Sequence, residues 1–445
     1  MLSKYNIFIV MLLLFAGLQA QEKQNTFKEA FKASLVITSD FSYEFKKSDL
    51  QKSEIILKPE FIYRLNRNSK FVLKGQLYSD LNDNLETGVP KETTVSGMNK
   101  RLFIGDRTNL ELREFYFYTK IKNKLRLTIG KQQIVWGETD GLKLLDVVNP
   151  QNFREFILDD FEDSRIPLWS LKAEFDIKDI GVQFVWTPDN TYHITQDFEA
   201  PFFTKSLFKS PPKSVSTVLN KPLKPKRFIA DSDVGIKLST FTKGWDLSLN
   251  YFYFYDDLPV FYNELKVTDT NNPIVTISPK FKRQHLLGGT FNKVIGSSTL
   301  RGEIAYIFNQ NFTSTSPEAV LGIETSNQFK SAIGIDYIKG ENIISAQLFS
   351  DIIIDNISPY NRDKFETNTS LKISRDMMND NLNAEVLWVH NTNHGDGYIK
   401  PQVSYWMNTK TQLFLGSSIF YGNESKLFGQ FKDRSRISLG MRWGI

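Results

Sequence analysis

WDLSLNYFYFY, residues 245–255, places Trp245, Leu247, Leu249, Tyr251, Tyr253 and Tyr255 on one face and Asp246, Ser248 and Asn250 on the other. A period of two is the signature of a β-strand with one apolar and one polar side. The same rhythm recurs along the chain. In NKLRLTIGKQ, Leu125, Leu127 and Ile129 oppose Lys124, Arg126 and Thr128. In TLRGEIAY, Leu300, Ile304 and Tyr306 oppose Arg301 and Glu303. In NLNAEVLW, Leu382, Ala384, Val386 and Trp388 oppose Asn383 and Glu385. RISLGMRWGI sets Ile437, Leu439, Met441, Trp443 and Ile445 against Arg436, Ser438 and Arg442.

A soluble sandwich would alternate too. Two features point to a membrane barrel instead. The segments run to 12–16 residues, as tilted crossings with overhangs require. Their apolar faces are aromatic toward the ends, as in interfacial girdles; in LELREFYFYTKI, Tyr116 and Tyr118 are expected to face lipid headgroups. Composition agrees, with 13% aromatics, 36 Phe and mildly polar overall character. The absence of Cys excludes disulfides and a lipoprotein anchor. A net charge of +5 points to no particular partner.

The amino terminus, MLSKYNIFIVMLLLFAGLQA, has a basic Lys4, a short apolar core and small residues before Ala20. It reads as a secretory signal over residues 1–20, too short to span a bilayer. Residues 21–32 are a polar periplasmic lead, and 33–445 form the barrel. The fold class is all-β, a transmembrane antiparallel barrel of about 18 strands, with 16 as the alternative count. Strands are placed near 33–45, 53–66, 69–80, 109–121, 123–136, 166–178, 180–188, 228–242 and 244–257. The second half adds 279–295, 297–311, 325–339, 341–355, 363–376, 382–394, 397–408, 410–421 and 431–445. Short turns alternate with long loops, which sets the short side in the periplasm. The loop over 189–227 is Pro-rich and basic, extracellular, and placed to fold over the pore mouth.

One segment breaks the rhythm. From Gly137 to Arg165, eight acids (Glu138, Asp140, Asp146, Glu155, Asp159, Asp160, Glu162, Asp163) meet three bases (Lys143, Arg154, Arg165), a net charge of −5. Leu142, Leu144, Leu145, Val148, Phe156 and Phe161 lie among them, so the segment must bury apolar surface. The space available is the barrel interior, giving an inward-folded lumenal insert near 137–165. Basic positions on the polar strand faces are its natural counter-charges: Lys58, Arg64, Lys70, Lys74, Arg126, Lys172, Arg301, Lys372, Arg436 and Arg442. The pore or constriction candidates are Glu138, Asp140, Asp146, Arg154, Asp159, Asp160, Glu162, Asp163 and Arg165. They either pin a constriction or line a selectivity site.

The stretch GKQQIVWGETDGLKLLDVVNPQNFREF, continued by DDFEDSRIPLW, resembles a family of uncharacterised Gram-negative outer-membrane proteins known as a domain of unknown function. Gly130, Lys131, Gln132, Trp136, Gly137, Glu138, Asn149 and Pro150 carry the likeness. Alginate-export and anion-selective barrels are more distantly similar. The resemblance implies one outer-membrane barrel, often associated with efflux-type transporters of lipidic compounds. Ile445 departs from the aromatic last residue usual in such barrels; Trp443 stands two positions earlier.

Other chemistry finds little support. His390 and His394 have helical metal spacing but end a strand. Glu138 and Asp140 are the one carboxylate pair near a candidate site, and no Ser-His-Asp set, phosphate loop or zinc spacing occurs. The expectation is therefore no enzyme, no cofactor and no metal. The partners expected are outer-membrane lipid and, by resemblance, an inner-membrane exporter, with no nucleic acid and a monomeric state. The function expected is a porin-like channel or exporter component for a small or lipidic solute, its lumen narrowed by 137–165. The alternative is a non-conducting receptor, adhesion or assembly module.

Overall fold

The computed structural model describes residues 30–139, 141–197, 200–207, 215–267 and 273–445. The signal segment 1–20 and residues 21–29 of the lead lie outside the described residues, and β1 already begins at Phe31.

The alternating segments form strands. In chain order these are β1 (Phe31–Glu44), β2 (Asp49–Arg64), β3 (Ser69–Asp80), β4 (Leu102–Phe103), β5 (Thr108–Ile121), β6 (Leu125–Gln132), β7 (Leu168–Ile177), β8 (Ile180–Thr187), β9 (Ser216–Leu219), β10 (Asp233–Thr242) and β11 (Trp245–Tyr255). Then follow β12 (Val260–Val267), β13 (Pro273–Lys280), β14 (Arg283–Ile295), β15 (Ser298–Thr313), β16 (Ile323–Lys339), β17 (Asn342–Ile353), β18 (Phe365–Met377), β19 (Leu382–Asn391), β20 (Asp396–Trp406), β21 (Thr411–Tyr421) and β22 (Arg436–Gly444). Nineteen of them make one sheet. Setting aside the two-residue β4, 18 antiparallel strands remain, each paired with its neighbours in sequence. The sheet closes where β1 meets β22, from Val36↔Gly444 to Glu44↔Arg436. Ile445 extends this seam by exchanging backbone bonds with Leu35 at 2.9 and 3.1 Å. All 18 expected strands are present, in their expected order.

Closure joins the first strand to the last and gives every strand an outer and an inner skin. On β22 the outer residues Leu439 and Trp443 are 57% and 40% exposed, whereas inward Arg436 is 4% exposed. The turns on one side are short: Lys122 and Asn123 (φ 47° and 54°) and Lys243 and Gly244 (φ 50° and 79°) have the left-handed backbone of two-residue hairpins. Long connections occupy the other side, except for 45–48 and 392–395.

Three features depart from the sequence reading. First, β6 stops at Gln132 rather than near 136, because the chain turns inward there. Second, Tyr116 and Tyr118 lie on the inner face, opposite Val72 and Lys70. A bulge between Lys74 and Gly75 in the β3–β5 register adds one residue at Arg113 and reverses the parity of β5. Leu110 and Leu112 therefore face outward before the bulge, and Phe115 and Phe117 after it. Third, β9, β12 and β13 form a small separate sheet out of two connections read as loops.

Candidate functional site

The inner skin has two characters. On β8, β11 and β14–β17 it is apolar: Val185, Phe252, Phe254, Leu286, Ala305, Ile307, Ala332 and Phe349 cluster there with Ile134, Trp136, Leu144, Leu145 and Val148 of the β6–β7 connection. On β1, β2, β3, β5 and β20–β22 it is charged and lines a cavity of about 260 Å³.

The residues that broke the alternation act as a bracket between wall and insert. Gly130 has φ +133°, and a Cβ there would collide with the Phe115 carbonyl, so only glycine fits where β6 begins to leave the wall. The Asn149 side chain accepts from the Ile134 N–H at 2.7 Å and donates to the carbonyls of Ile166 at 2.9 Å and Gln132 at 3.3 Å. One amide thus ties together the outgoing chain, the insert and the returning chain. The Trp136 indole N–H donates to Gln183 at 2.7 Å, and its ring stands edge-on to Phe252. Gly235 makes room for that ring, since a Cβ would strike it.

A wall carboxylate then takes over. Glu303 accepts backbone N–H groups of Glu138, Thr139 (2.8 Å) and Leu145 (3.0 Å). Arg301 donates to the Glu138 carbonyl at 2.8 Å and pairs with Asp336 at 2.9 Å. Asp140 lies outside the described residues. Asp146 accepts from Arg165 Nε at 2.6 Å, with Lys143 at 3.7 Å, so these charges are spent within the insert. Burial, more than Asp146 opposes it, lowers the Lys143 ammonium to about 8. The His193 Nδ1 accepts the Gln151 N–H at 2.8 Å, and burial followed by the nearby Lys143 lowers this imidazole to about 3.

On the charged side Arg154 reaches Glu54 and the Tyr78 hydroxyl on the wall and Glu155 at 3.0 Å. Glu155 also pairs with Lys52 at 2.6 Å and with Arg436. Burial raises its carboxyl, but Lys52, Arg436 and Arg154 outweigh that and hold it well below the usual carboxylate range. At Asp159, which lines the cavity, Arg154 and Lys52 oppose burial but do not outweigh it. Burial, then the Glu155 charge, push this carboxyl up to about 6. Asp163 pairs with Lys58, while Asp160 and Glu162 are exposed. The Arg113 guanidinium donates to the carbonyls of Glu162 (3.1 Å), Asp163 (3.2 Å) and Arg165 (2.7 Å), and the Lys400 ammonium to that of Leu158 (2.8 Å).

Of the wall bases named from sequence, Lys58, Arg301 and Arg436 touch the insert, and Arg442 lines the cavity. Lys74, Arg126, Lys172 and Lys372 pair instead with wall acids Glu114 (3.3 Å), Asp176 (3.4 Å), Glu174 (3.4 Å) and Glu385 (3.2 Å). Arg64 stands opposite Lys70. Sequence reasoning sought bases for an acidic insert and so missed the wall acids Glu54 and Glu303 and the contacts of Lys52, Tyr78, Arg113 and Lys400. The signal was present, because Glu54 shares the parity of Lys58, and Glu303 that of Arg301.

Above the cavity an aromatic cluster joins the insert to the long connections. Phe156 and Leu158 pack with Leu85, Phe202, Tyr398, Phe420, Phe428 and Phe431. The basic connection containing Phe202 also bonds across to β21–β22 through Ser206 and Gln430 at 2.7 Å. His390 and His394 are engaged by Tyr421 (3.0 Å) and Glu366 (3.3 Å).

Residues 21–418 match the model of a family described as Protein of unknown function (DUF1302). No curated protein matches the chain. Among solved structures, Acinetobacter baumannii OccAB2 is similar at 10% identity, over 95% of this chain and 99% of that one, with a TM-score of 0.54. Acinetobacter baumannii OccAB3 is similar at 9% identity, over 94% and 99%, with a TM-score of 0.52. Pseudomonas aeruginosa OccK8 (OprE) is similar at 11% identity, over 94% and 98%, with a TM-score of 0.51. The shared fold is that of outer-membrane porins, and with its apolar outer skin it places the protein in the outer membrane.

Proposed function

Because the chain belongs to the family described as Protein of unknown function (DUF1302), we propose a role read from its own geometry: a porin-like channel passing a small or lipidic solute, with residues 137–165 as its constriction. The observation that carries this is the double anchorage of the insert. Glu303 and the apolar strands hold one part, and Lys52, Glu54 and Arg436 hold the other. Between insert and wall remains a charged cavity of about 260 Å³, the kind of polar narrowing that selects solutes. Asp159, Asp163, Lys58 and Arg442 border it and are the selecting groups in this reading. An inner-membrane exporter as partner and a monomeric state belong to the same proposal.

Single-channel recording in planar bilayers tests it, comparing the natural chain with one lacking residues 139–163. The deletion should raise conductance severalfold; equal conductance would remove the constriction. A second reading, a surface receptor that does not conduct, draws on the separate sheet of β9, β12 and β13 built from the long connections. Liposomes bearing the protein would then stay tight to small sugars, whereas the channel reading requires swelling.

A further inference from the structure

Beside the insert, one strand edge of the wall loses its regular neighbour. A membrane crossing takes about 9–11 strand residues, but β6, like β8, ends after eight. Its pairing with β5 stops at Phe115↔Lys131, so Thr108–Glu114 of β5 extend beyond their last β6 partner. A bare strand edge facing lipid is costly, so something must cover it. The cover is the segment 92–104 of the β3–β5 connection. At one end, β4 stands where β6 would continue, pairing Leu102 with Leu110 and Phe103 with Asn109. At the other, Asn99 donates to Pro167 O (3.0 Å), Asp189 (2.8 Å) and Thr191 (3.2 Å), and Ser96 donates to Asp189 at 2.6 Å.

The cover is two-faced. Leu102 shares the outward side of Leu110 and is 62% exposed, and Met98, bonded through its carbonyl to the Trp169 indole at 3.1 Å, is 55% exposed. Arg101 instead points to the cavity and is held by Glu86 (2.8 Å) and Glu92 (2.5 Å). Asn109, Glu111 and Arg113 of the free edge line that cavity as well. Beside the free edge, this short segment therefore lies between a polar chamber, walled by both signs of charge, and the outer apolar skin.

We propose that segment 92–104 is a side door through the barrel wall. Its user is an amphiphile whose zwitterionic head occupies the charged chamber while its chain lies in the bilayer. This rests on the reading of the chain as a conduit, and it narrows the solute class from small or lipidic to amphiphilic.

The chain has no Cys, so the door can be fastened selectively. Ser96→Cys with Thr191→Cys, whose residues meet at 3.1 Å through the Ser96 N–H, is bridged by a short bifunctional thiosulfonate that reductant removes. Ser69→Cys with Thr119→Cys, a contact of 2.9 Å between β3 and β5 near the short-turn side, is the control bridge. The probe is a single-chain phosphocholine with a diazirine near its head, photolysed in proteoliposomes, with labelled residues mapped by mass spectrometry. We expect labels on Tyr78, Arg113 or Leu158 in the open form, at least fivefold fewer when the door is bridged, and recovery on reduction. The control bridge should change nothing. Equal chamber labelling with the door bridged and open, or labels confined to outer residues in both, would overturn the side door. Ion conductance is recorded in parallel. Its absence in the natural protein counts against the channel reading alone, because bridge-dependent labelling does not need it.

Discussion

Residues 134–148 and 152–163 belong to one connection between β6 and β7, yet they are held in place by opposite means. The first part is fastened by shape and exclusion of water: Trp136, Leu144 and Leu145 fill an apolar wall, and Glu303 collects the backbone N–H groups that burial would otherwise orphan. The second part is fastened by charge, through Arg154–Glu54 and Glu155 with Lys52 and Arg436, beside an open cavity. Packing of the first kind responds little to salt, although Lys143, Asp146 and the wall's Glu303 give this part ionisable groups. Ion pairs beside water respond to salt and pH. One half therefore positions the insert, and the other, in the channel proposed above, is left to meet the solute.

Attacking the apolar half should do most damage. Trp136→Ala is expected to cost about 3–5 kcal/mol, the range for losing a buried Trp, and to raise single-channel conductance as the insert detaches. An unaltered denaturation midpoint would mean that packing does not hold it. Glu303→Ala comes next, leaving N–H groups of residues 138, 139 and 145 without their acceptor at roughly 1–3 kcal/mol; Glu303→Gln should recover part of that. In the charged half, Lys58→Ala should cost less than these, at most about 1 kcal/mol, because its pair with Asp163 is partly exposed. Its signature is current noise that grows in the natural protein between 0.1 and 1 M salt and is already high, and salt-insensitive, in the variant. Such salt dependence in Trp136→Ala instead would invert the assignment of the two halves.

The smallest effect is a titration. Asp159 sits at about 6, above the ordinary carboxyl value, through burial and Glu155. A raised acid penalises the folded state above that pH, and the penalty is relieved as pH falls through 6. Between pH 7.5 and 5 the cavity therefore gains positive charge, and reversal potentials should shift toward anions. Asp159→Asn should remove the shift. Glu155 and Asp163 have lowered carboxyls, so their contribution to anchorage is present above the ordinary carboxyl range and fades only in stronger acid.

The strand number and order were legible because alternation is written in consecutive residues, and each of the 18 segments carries its own copy. The insert was legible as a misfit, through its apolar content and its charge. Its individual contacts were less so. Arg436 and Lys58 were visible as inward bases, but charge and parity alone do not separate a base spent on a wall neighbour from one that reaches the insert. Arg126 and Lys172 have the same inward parity and turn to Asp176 and Glu174.

Consecutive residues were enough to specify a two-skinned sheet of 18 strands, because the alternation within a strand needs nothing beyond that strand. Which inner side chains meet was settled only by the folded barrel. Closure brings Lys52, Glu54 and Arg436 around one point from opposite ends of the chain. A single extra residue at Arg113 turns the parity of β5 and moves Tyr116 and Tyr118 from lipid to lumen. Parity is a local property, whereas register and closure depend on partners far away in sequence, and no stretch of the chain read alone contains them.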